Sequence, residues 1–398
     1  MLTLSGLIGA VAAGFLADAL LRVDTANSDA ADDDHADDTR SNPIPPPDLL
    51  SDPDGDDDVM QDQRSNPIPS PAFLTDADGD DDEPSEWEFL PLDPWDDDSL
   101  EEPPQGYFDD EPESSDDDPE IEDIRRVGTG DDELLTGGPG DDTLIGGTGD
   151  DTLLGYDGDD LLVAVEGDNL LDGGRGDDTL IGGPGDDTLK GGPGENLLLA
   201  GEGDNELYGG PGDDTLIGGP GNDYLHGGAG DDTLIAGSGD DTLMGGYGND
   251  LLVAGQGDDL MFGGPGDNTL VGAVLDSEGR DIGGANTLNG GAGDDLLILG
   301  AGDIAHGGSG SDTFVLGSWM APGDAGWIQD FDPEEDRLVV AFDAEAHPDP
   351  VLTLEPDPET PGRVHLLLDG MALAAIDGGA GLTPEDIELM AEPPQSAA

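Results

Sequence analysis

The sequence predicts an all-β fold, a parallel β-roll (β-solenoid), from three observations: a nine-residue period, glycine fixed in phase with it, and one leucine per period. Laid in frames of nine from Gly137, the chain gives fifteen consecutive copies without insertion, ending at Val271. Glycine holds position four in all fifteen, and leucine holds position eight in every copy but the one with Met261. Position six is Asp in eleven copies and Asn in four: Asn169, Asn196, Asn205 and Asn268. Compositional bias does not keep three positions in phase over such a length, so the period is structural.

Each copy reads as a tight loop and a short strand. Glycines at positions one, two and four permit positive φ and close approach of successive turns. The next three residues, such as Thr143, Leu144 and Ile145, alternate as a strand whose middle leucine points to one face. Two nonapeptides then complete one turn, and stacked turns form two parallel sheets around a thin leucine core. "VGTGDDELL" (Val127 to Leu135) precedes the array, offset by the single residue Thr136. Gly272 to Asn289 spans two further periods, the second of which, "DIGGANTLN", is in frame. After "GGAGDDLLI" from Gly290 comes a damaged copy, Leu299 to His306, one residue short; Ile304 takes its sixth position, where a gap is expected. "GGSGSDTFV" from Gly307 closes the series.

Charge sets the next constraint. The 398 residues hold 96 Asp and Glu against 10 Lys and Arg, a formal net charge of −86. Self-repulsion on that scale excludes nucleic acid as a partner and requires counter-cations for any compact state. With no cysteine, neither disulfides nor thiolate metal sites can brace the fold. Stacking places the position-six aspartates of successive turns above one another, where unneutralised rows would repel. A hard divalent cation reverses the sign of that interaction. Carboxylates and loop carbonyls form the all-oxygen shell that suits Ca²⁺, whereas Mg²⁺ demands a tighter octahedron.

"GGPGDDTLI" and its copies resemble the RTX, or haemolysin-type calcium-binding, nonapeptide G-G-x-G-x-D-x-U-x. The resemblance covers residues 127–315 and implies a β-roll with multiple Ca²⁺ ions bound by the position-six aspartates. On this chain those are Asp132, Asp142, Asp151, Asp160, Asp178, Asp187, Asp214, Asp223, Asp232, Asp241, Asp250, Asp259, Asp295 and Asp312. Weaker sites are expected where Asn keeps the carbonyl oxygen but loses the charge. Position five, also acidic in Asp141, Asp150 and Asp159, points to solvent in the family; attracting calcium and keeping the chain soluble both suit it.

The flanks divide into three segments. Residues 1–23 open with an uncharged apolar stretch, Met1 to Ala17, near the lower limit for a membrane span and without the basic start of a signal peptide. Two readings stand for it: a membrane-associated or targeting helix, with membrane contact through residues 1–21, and a short apolar helix with no assigned role. Residues 24–126 are acidic, proline-rich and poor in branched apolar residues, the composition of a disordered linker. Its runs "DPDGDDD" and "DADGDDD" lack the Gly and Glu that complete an EF-hand loop, which leaves nonspecific cation binding.

Residues 316–398 read as a small β-rich cap. "WIQDFDPEEDRLVVAFD" (Trp327 to Asp343) resembles the I-x-D-F-x-x-x-x-D-x-L segment that follows RTX arrays. "VLTLE" reads as a strand, and "RVHLLLDGMALAAI" as a hairpin turning at Asp369 and Gly370. "LTPEDIELM", with a Thr cap and Pro384 in the first turn, predicts a short helix. The family's C-terminal signal for type I secretion belongs in this region.

No enzymatic constellation accompanies the array. There is no HExxH and no GxSxG, the five histidines are dispersed singly, and the only lysine, Lys190, is followed by glycine, which precludes GK[ST]. The expectation is therefore a non-enzymatic, secreted bacterial protein that folds on extracellular Ca²⁺ and serves as a surface, matrix or adhesion scaffold, with the type I secretion machinery and a cell-surface or matrix ligand as partners. The alternative is a toxin-like or cargo accessory in which the roll serves export and the N-terminal region contacts a membrane or partner.

Overall fold

A computed structural model describes residues 123–276, 279–320 and 323–392. The expected apolar helix of residues 1–23 and all but the last four residues of the acidic linker of residues 24–126 lie outside the described residues; at the linker's end, Arg125–Val127 is a strand paired in parallel with Thr143–Ile145 instead. Among those described, no helix is long and apolar enough to cross a membrane.

The strands form two sheets, one of 13 strands and one of 14, and through the array successive strands alternate between them, so that each pairs with the strand two positions away in sequence. Through the array the pairing is parallel with an offset of 18 residues, and like residues stack: Thr215 on Thr233, Leu216 on Leu234, Ile217 on Ile235. The two-nonapeptide turn is thus the repeating unit. Leucine at position eight points inward in both sheets, and Leu144, Leu153, Leu216, Leu225, Leu243 and their equivalents are fully buried. Position one fills the rest of the core with glycine or with fully buried alanine, as in Ala164, Ala200, Ala236 and Ala254. Such small residues bring the two sheets close together.

The glycine at position four closes the loop. Gly221 adopts φ +137°, and a Cβ there would strike the carbonyl oxygen of Gly203 in the preceding turn. Position two has the same left-handed backbone, with two exceptions to its glycine: Tyr156 (φ 89°) and Val165 (φ 104°). For β-branched Val165 that conformation is strained.

Four irregularities correct the expected frame. First, the copy before Gly137 is not offset. Leu134 to Pro139 pairs with Thr152 to Asp157 in the standard register, so the frame begins at Gly128 and Glu133, not Asp132, falls at position six. Second, Gly272 to Asn289 contributes one half-turn rather than two. Leu260 pairs with Thr287, an offset of 27 residues, because nine residues leave the coil in an excursion closed by a bridge between Leu275 and Asp281. Third, the damaged copy leaves no gap at position six. Thr287 pairs with Ile304, which makes Ile304 the first strand residue and puts Asp303 in the sixth position; the missing residue is taken from the loop before it.

The fourth correction lies in the cap. From Thr313–Gly317, the strand of the last nonapeptide, Gly326–Ile328 and Arg337–Asp343 extend the same two sheets. Val364–Leu368 and Met371–Ile376 form the expected hairpin, turning at Asp369 (φ 50°) and Gly370 (φ 84°), with Leu352–Pro356 as a third antiparallel strand. The predicted helix is only a 3₁₀ turn, Pro384–Asp386. The Asp386 carboxylate accepts hydrogen bonds from the Thr383 N–H and hydroxyl at 2.8 Å. The chain then runs into strand Glu388–Glu392, paired in parallel with Arg337–Asp343. Sheet-edge pairing outweighs the local helix signal there.

Candidate metal centre

The loops between strands stack along the two edges of the roll, and position six forms one row on each. One row runs Asp142, Asp160, Asp178, Asn196, Asp214, Asp232, Asp250, Asn268, Asp295, Asp312; the other runs Asp151, Asn169, Asp187, Asn205, Asp223, Asp241, Asp259, Asn286, Asp303. All are at most 3% exposed. Of the fourteen predicted ligands, thirteen stand in these rows. Asp132 is exposed and belongs to the position-five row, where its carboxylate accepts the Asp150 N–H at 3.1 Å. Glu133 precedes Asp151 instead, its N–H donating to Asp151 Oδ1 at 2.9 Å.

In most row aspartates, three of the four polar atoms are used by the fold. Each backbone N–H donates to Oδ1 of the aspartate or asparagine one turn on, as from Asp142 to Asp160 (2.7 Å) and from Asp223 to Asp241 (2.7 Å). Each backbone carbonyl accepts the first strand N–H of that turn, as Asp214 does from Thr233 at 2.8 Å. The remaining atom, Oδ2, is buried without a hydrogen-bond partner in twelve aspartates: Asp142, Asp151, Asp160, Asp178, Asp187, Asp214, Asp223, Asp232, Asp241, Asp250, Asp259 and Asp295. A buried unpaired carboxylate oxygen is costly, and here it recurs with the period of the fold.

The asparagines mark the acceptors around that atom. Asn196 Nδ2 donates to the carbonyls of Gly192 (3.0 Å) and Gly194 (3.3 Å), positions two and four of its own loop, and to Asp214 Oδ1 (2.9 Å). Asn268 Nδ2 donates to the carbonyls of Gly264, Gly266 and Gly290 at 3.1–3.3 Å. Nδ2 of Asn and Oδ2 of Asp occupy the same corner, facing the position-one glycine of their own repeat, as Asn196 faces Gly191 and Asp214 faces Gly209. In twelve aspartate repeats Oδ2 meets no hydrogen-bond donor in that corner. This donor set fits a hard cation such as Ca²⁺, held by Oδ2 and the carbonyls of positions two and four. Among the described residues, no three His, Cys, Asp or Glu side chains converge as a metal cage, in keeping with donors drawn largely from the backbone.

The family described as RTX calcium-binding nonapeptide repeat (4 copies) matches residues 127–162, 163–198, 199–234, 235–270 and 283–314. Residues 127–270 and 283–314 thus match the RTX calcium-binding repeat. The break in the matches, residues 271–282, coincides with the excursion from the coil. Among solved structures, the solution structure of the AlgE6R3 subunit of the Azotobacter vinelandii mannuronan C5-epimerase is similar at 22% identity, over 43% of this chain and 82% of that chain, with a TM-score of 0.18. A search of curated proteins gives no match.

Burial shifts the titration of the RTX rows. Desolvation, with the neighbouring carboxylates adding to it, pushes Asp160 up to about 6 and Asp178, Asp232 and Asp241 up to about 7. Asp187 and Asp214, also raised by desolvation, reach about 6; hydrogen bonds from the Asn169 and Asn196 amides oppose the rise.

Position five forms a second, outer row with opposite polarity. Its exposed carboxylates reach forward to the backbone N–H one turn on, as Asp141 does to Asp159 (3.0 Å) and Asp213 to Asp231 (2.8 Å). The outer acids therefore face water and also join the turns.

Sequence reasoning missed four further row members: Glu133, Asn286, Asp303 and Asp336. Counting nines back from Gly137 would have found Glu133. Asp303 differs from its neighbours: Oδ1 accepts the Asn286 N–H at 2.8 Å and Oδ2 accepts the Gly300 N–H at 2.6 Å, so backbone amides satisfy both oxygens. Asp336, in the cap segment, accepts the Asp312 N–H at 3.0 Å and so carries the row past the last nonapeptide.

Proposed function

We propose that the chain is a secreted protein whose RTX roll folds on binding extracellular Ca²⁺ and acts, once folded, as a surface, matrix or adhesion scaffold rather than as an enzyme. The observation that carries the calcium-dependent folding is the series of twelve buried Oδ2 atoms without partners. Each needs a cation to be stable in the folded chain, and each is freely hydrated when the chain is unfolded. In a calcium-poor compartment the folded state loses that term and repulsion dominates, which keeps the chain open for export by the type I machinery. At a Kd of about 10⁻⁴ to 10⁻³ M per site, calcium at tenfold Kd contributes roughly 1.4 kcal/mol per site. Several such sites together match the net stability of an ordinary domain.

The scaffold role rests on the absence of a catalytic constellation from the sequence and on the share of the chain that the array takes up. Calcium titration of the chelated protein, followed by far-ultraviolet circular dichroism, tests the folding reading: a cooperative gain of β signal is expected, and a spectrum unaffected by chelation would refute it. Secretion is tested by expressing the chain with and without residues 316–398 beside a type I exporter. Equal export of both would refute a C-terminal signal.

A further inference from the structure

We propose that the asparagines of the ligand rows are built-in substitutes for the cation, so that the coils carrying them, residues 164–226 above all, hold together in calcium-free solution while the aspartate-only coils on either side do not. The inference rests on the reading that the aspartate positions take calcium.

The geometry supplies the argument. An Asn in the row keeps its Oδ1 where Asp keeps Oδ1: Asp151 N–H donates to Asn169 Oδ1 at 2.9 Å and Asp178 N–H to Asn196 Oδ1 at 3.0 Å. The other atom changes from an acceptor to a donor. Asn169 Nδ2 donates to the Gly167 carbonyl (2.7 Å) and to Asp187 Oδ1 (2.8 Å), and Asn205 Nδ2 to the Gly203 carbonyl (2.9 Å) and to Asp223 Oδ1 (3.0 Å). Together with Asn196, each thus bonds the carbonyls of its own loop to the carboxylate of the next turn, the link a cation would otherwise make. Acceptors on every side fix which amide atom is the nitrogen. An N–H₂ pointing into the corner also occupies and electrostatically opposes a cation site, so these positions are closed to calcium rather than weakened toward it.

Three of the row asparagines fall within seven consecutive nonapeptides, residues 164–226, and alternate between the two edges. The same stretch contains Lys190, the only lysine of the chain, and Arg175. Seven repeats exceed the three or so that a solenoid needs in order to hold together. Asp178, Asp187, Asp214 and Asp223 of this stretch also have an unpartnered Oδ2, but amide links stand between them, whereas Asp232, Asp241, Asp250 and Asp259 follow one another with the same unpartnered Oδ2 and no asparagine among them. The array is thus partitioned into a belt stitched by its own amides and flanks that wait for metal. Folding would start from the belt and propagate outward as calcium arrives, adding turns to a template instead of nucleating at each end.

Hydrogen exchange of the full chain in EGTA at pH 7.5, read by segment, tests this. Protection is expected within residues 164–226 and not in 137–160 or 232–259, with all three protected in calcium. The triple variant N169D/N196D/N205D should lose the EGTA protection, by roughly tenfold for each hydrogen bond to a charged acceptor removed, regain it in calcium, and bind more Ca²⁺ by calorimetry than the parent. Uniform loss of protection in EGTA with full recovery in calcium would overturn the belt and leave calcium-dependent folding intact. Uniform protection in EGTA would overturn both. A triple variant as protected in EGTA as the parent would likewise refute the substitution of amide for cation.

Discussion

Protons should replace calcium in this chain, and the row aspartates set the pH at which they do so. Asp160 is 2% exposed, and burial raises its carboxyl from 3.8 to about 6; Asp241, equally buried, rises to about 7. A folded-state value above the unfolded one means that the folded chain holds the proton more tightly. The associated stability is complete below about pH 4 and is lost as pH rises through 6 to 7. At pH 7 without metal, an aspartate like Asp160 costs the folded state about 3 kcal/mol and one like Asp241 about 4 kcal/mol. Four such groups exceed the net stability of a typical domain, and the rows contain more than four. Outside the amide-linked turns of residues 164–226, the chelated chain should therefore be expanded at pH 7.5 and become compact on acidification, with a midpoint between pH 5 and 7. A free carboxylate in water titrates near 4, so a midpoint between pH 5 and 7 separates neutralisation of the buried rows from general charge reduction. Far-ultraviolet circular dichroism and hydrodynamic radius in EGTA at low salt, from pH 8 to 4, measure the transition, and calcium should abolish it above pH 6. A chelated chain that stays compact at pH 7.5, or collapses only at pH 4, would refute the reasoning.

Three further outcomes follow from individual residues. Leu225 is fully buried between Leu207 and Leu243 of the neighbouring turns, so Leu225→Ala should lower stability in saturating calcium by about 2–5 kcal/mol in urea denaturation. Val165→Gly should have the opposite sign: it relieves a β-branched residue at φ 104°, and after the added chain entropy a net gain of about 1 kcal/mol is expected from the same assay. Asp303→Asn removes an acceptor from the Gly300 N–H and should cost about 1–3 kcal/mol without changing the number of calcium ions bound in calorimetry, because backbone amides already satisfy both Asp303 oxygens; a lost calcium site would show that Asp303 is a ligand after all.

The repeat itself is legible in the sequence because a single period fixes three things at once: the loop glycine, the core leucine and the row aspartate. Cross-turn pairing then sets the details that counting cannot. Thr136 looked like an insertion because "VGTGDDELL" matches the repeat's shape one residue early, but strand register puts Leu135 opposite Leu153 and moves Glu133 into the row. Asp303 was hidden because the damaged copy is one residue short and the loop, not the strand, absorbs the loss. The excursion after Val271 has the length of a nonapeptide without building a half-turn, and only the pairing of Leu260 with Thr287 reveals this.

The asparagines show a different limit. From sequence, Asn at position six is an aspartate with its charge removed, which predicts a weaker site. In the folded chain the substitution reverses the role of one atom: Oδ2 of Asp214 has no donor, while Nδ2 of Asn196 is itself a donor to two carbonyls and a carboxylate. Whether a polar residue weakens a metal site or replaces the metal depends on what faces its second atom, and that is decided by the turns above and below, 18 residues away in the chain. The five asparagines at a single position of a uniform repeat are therefore where folded geometry adds most to the sequence, since they set how many cations the rows require and which turns can form before any arrive.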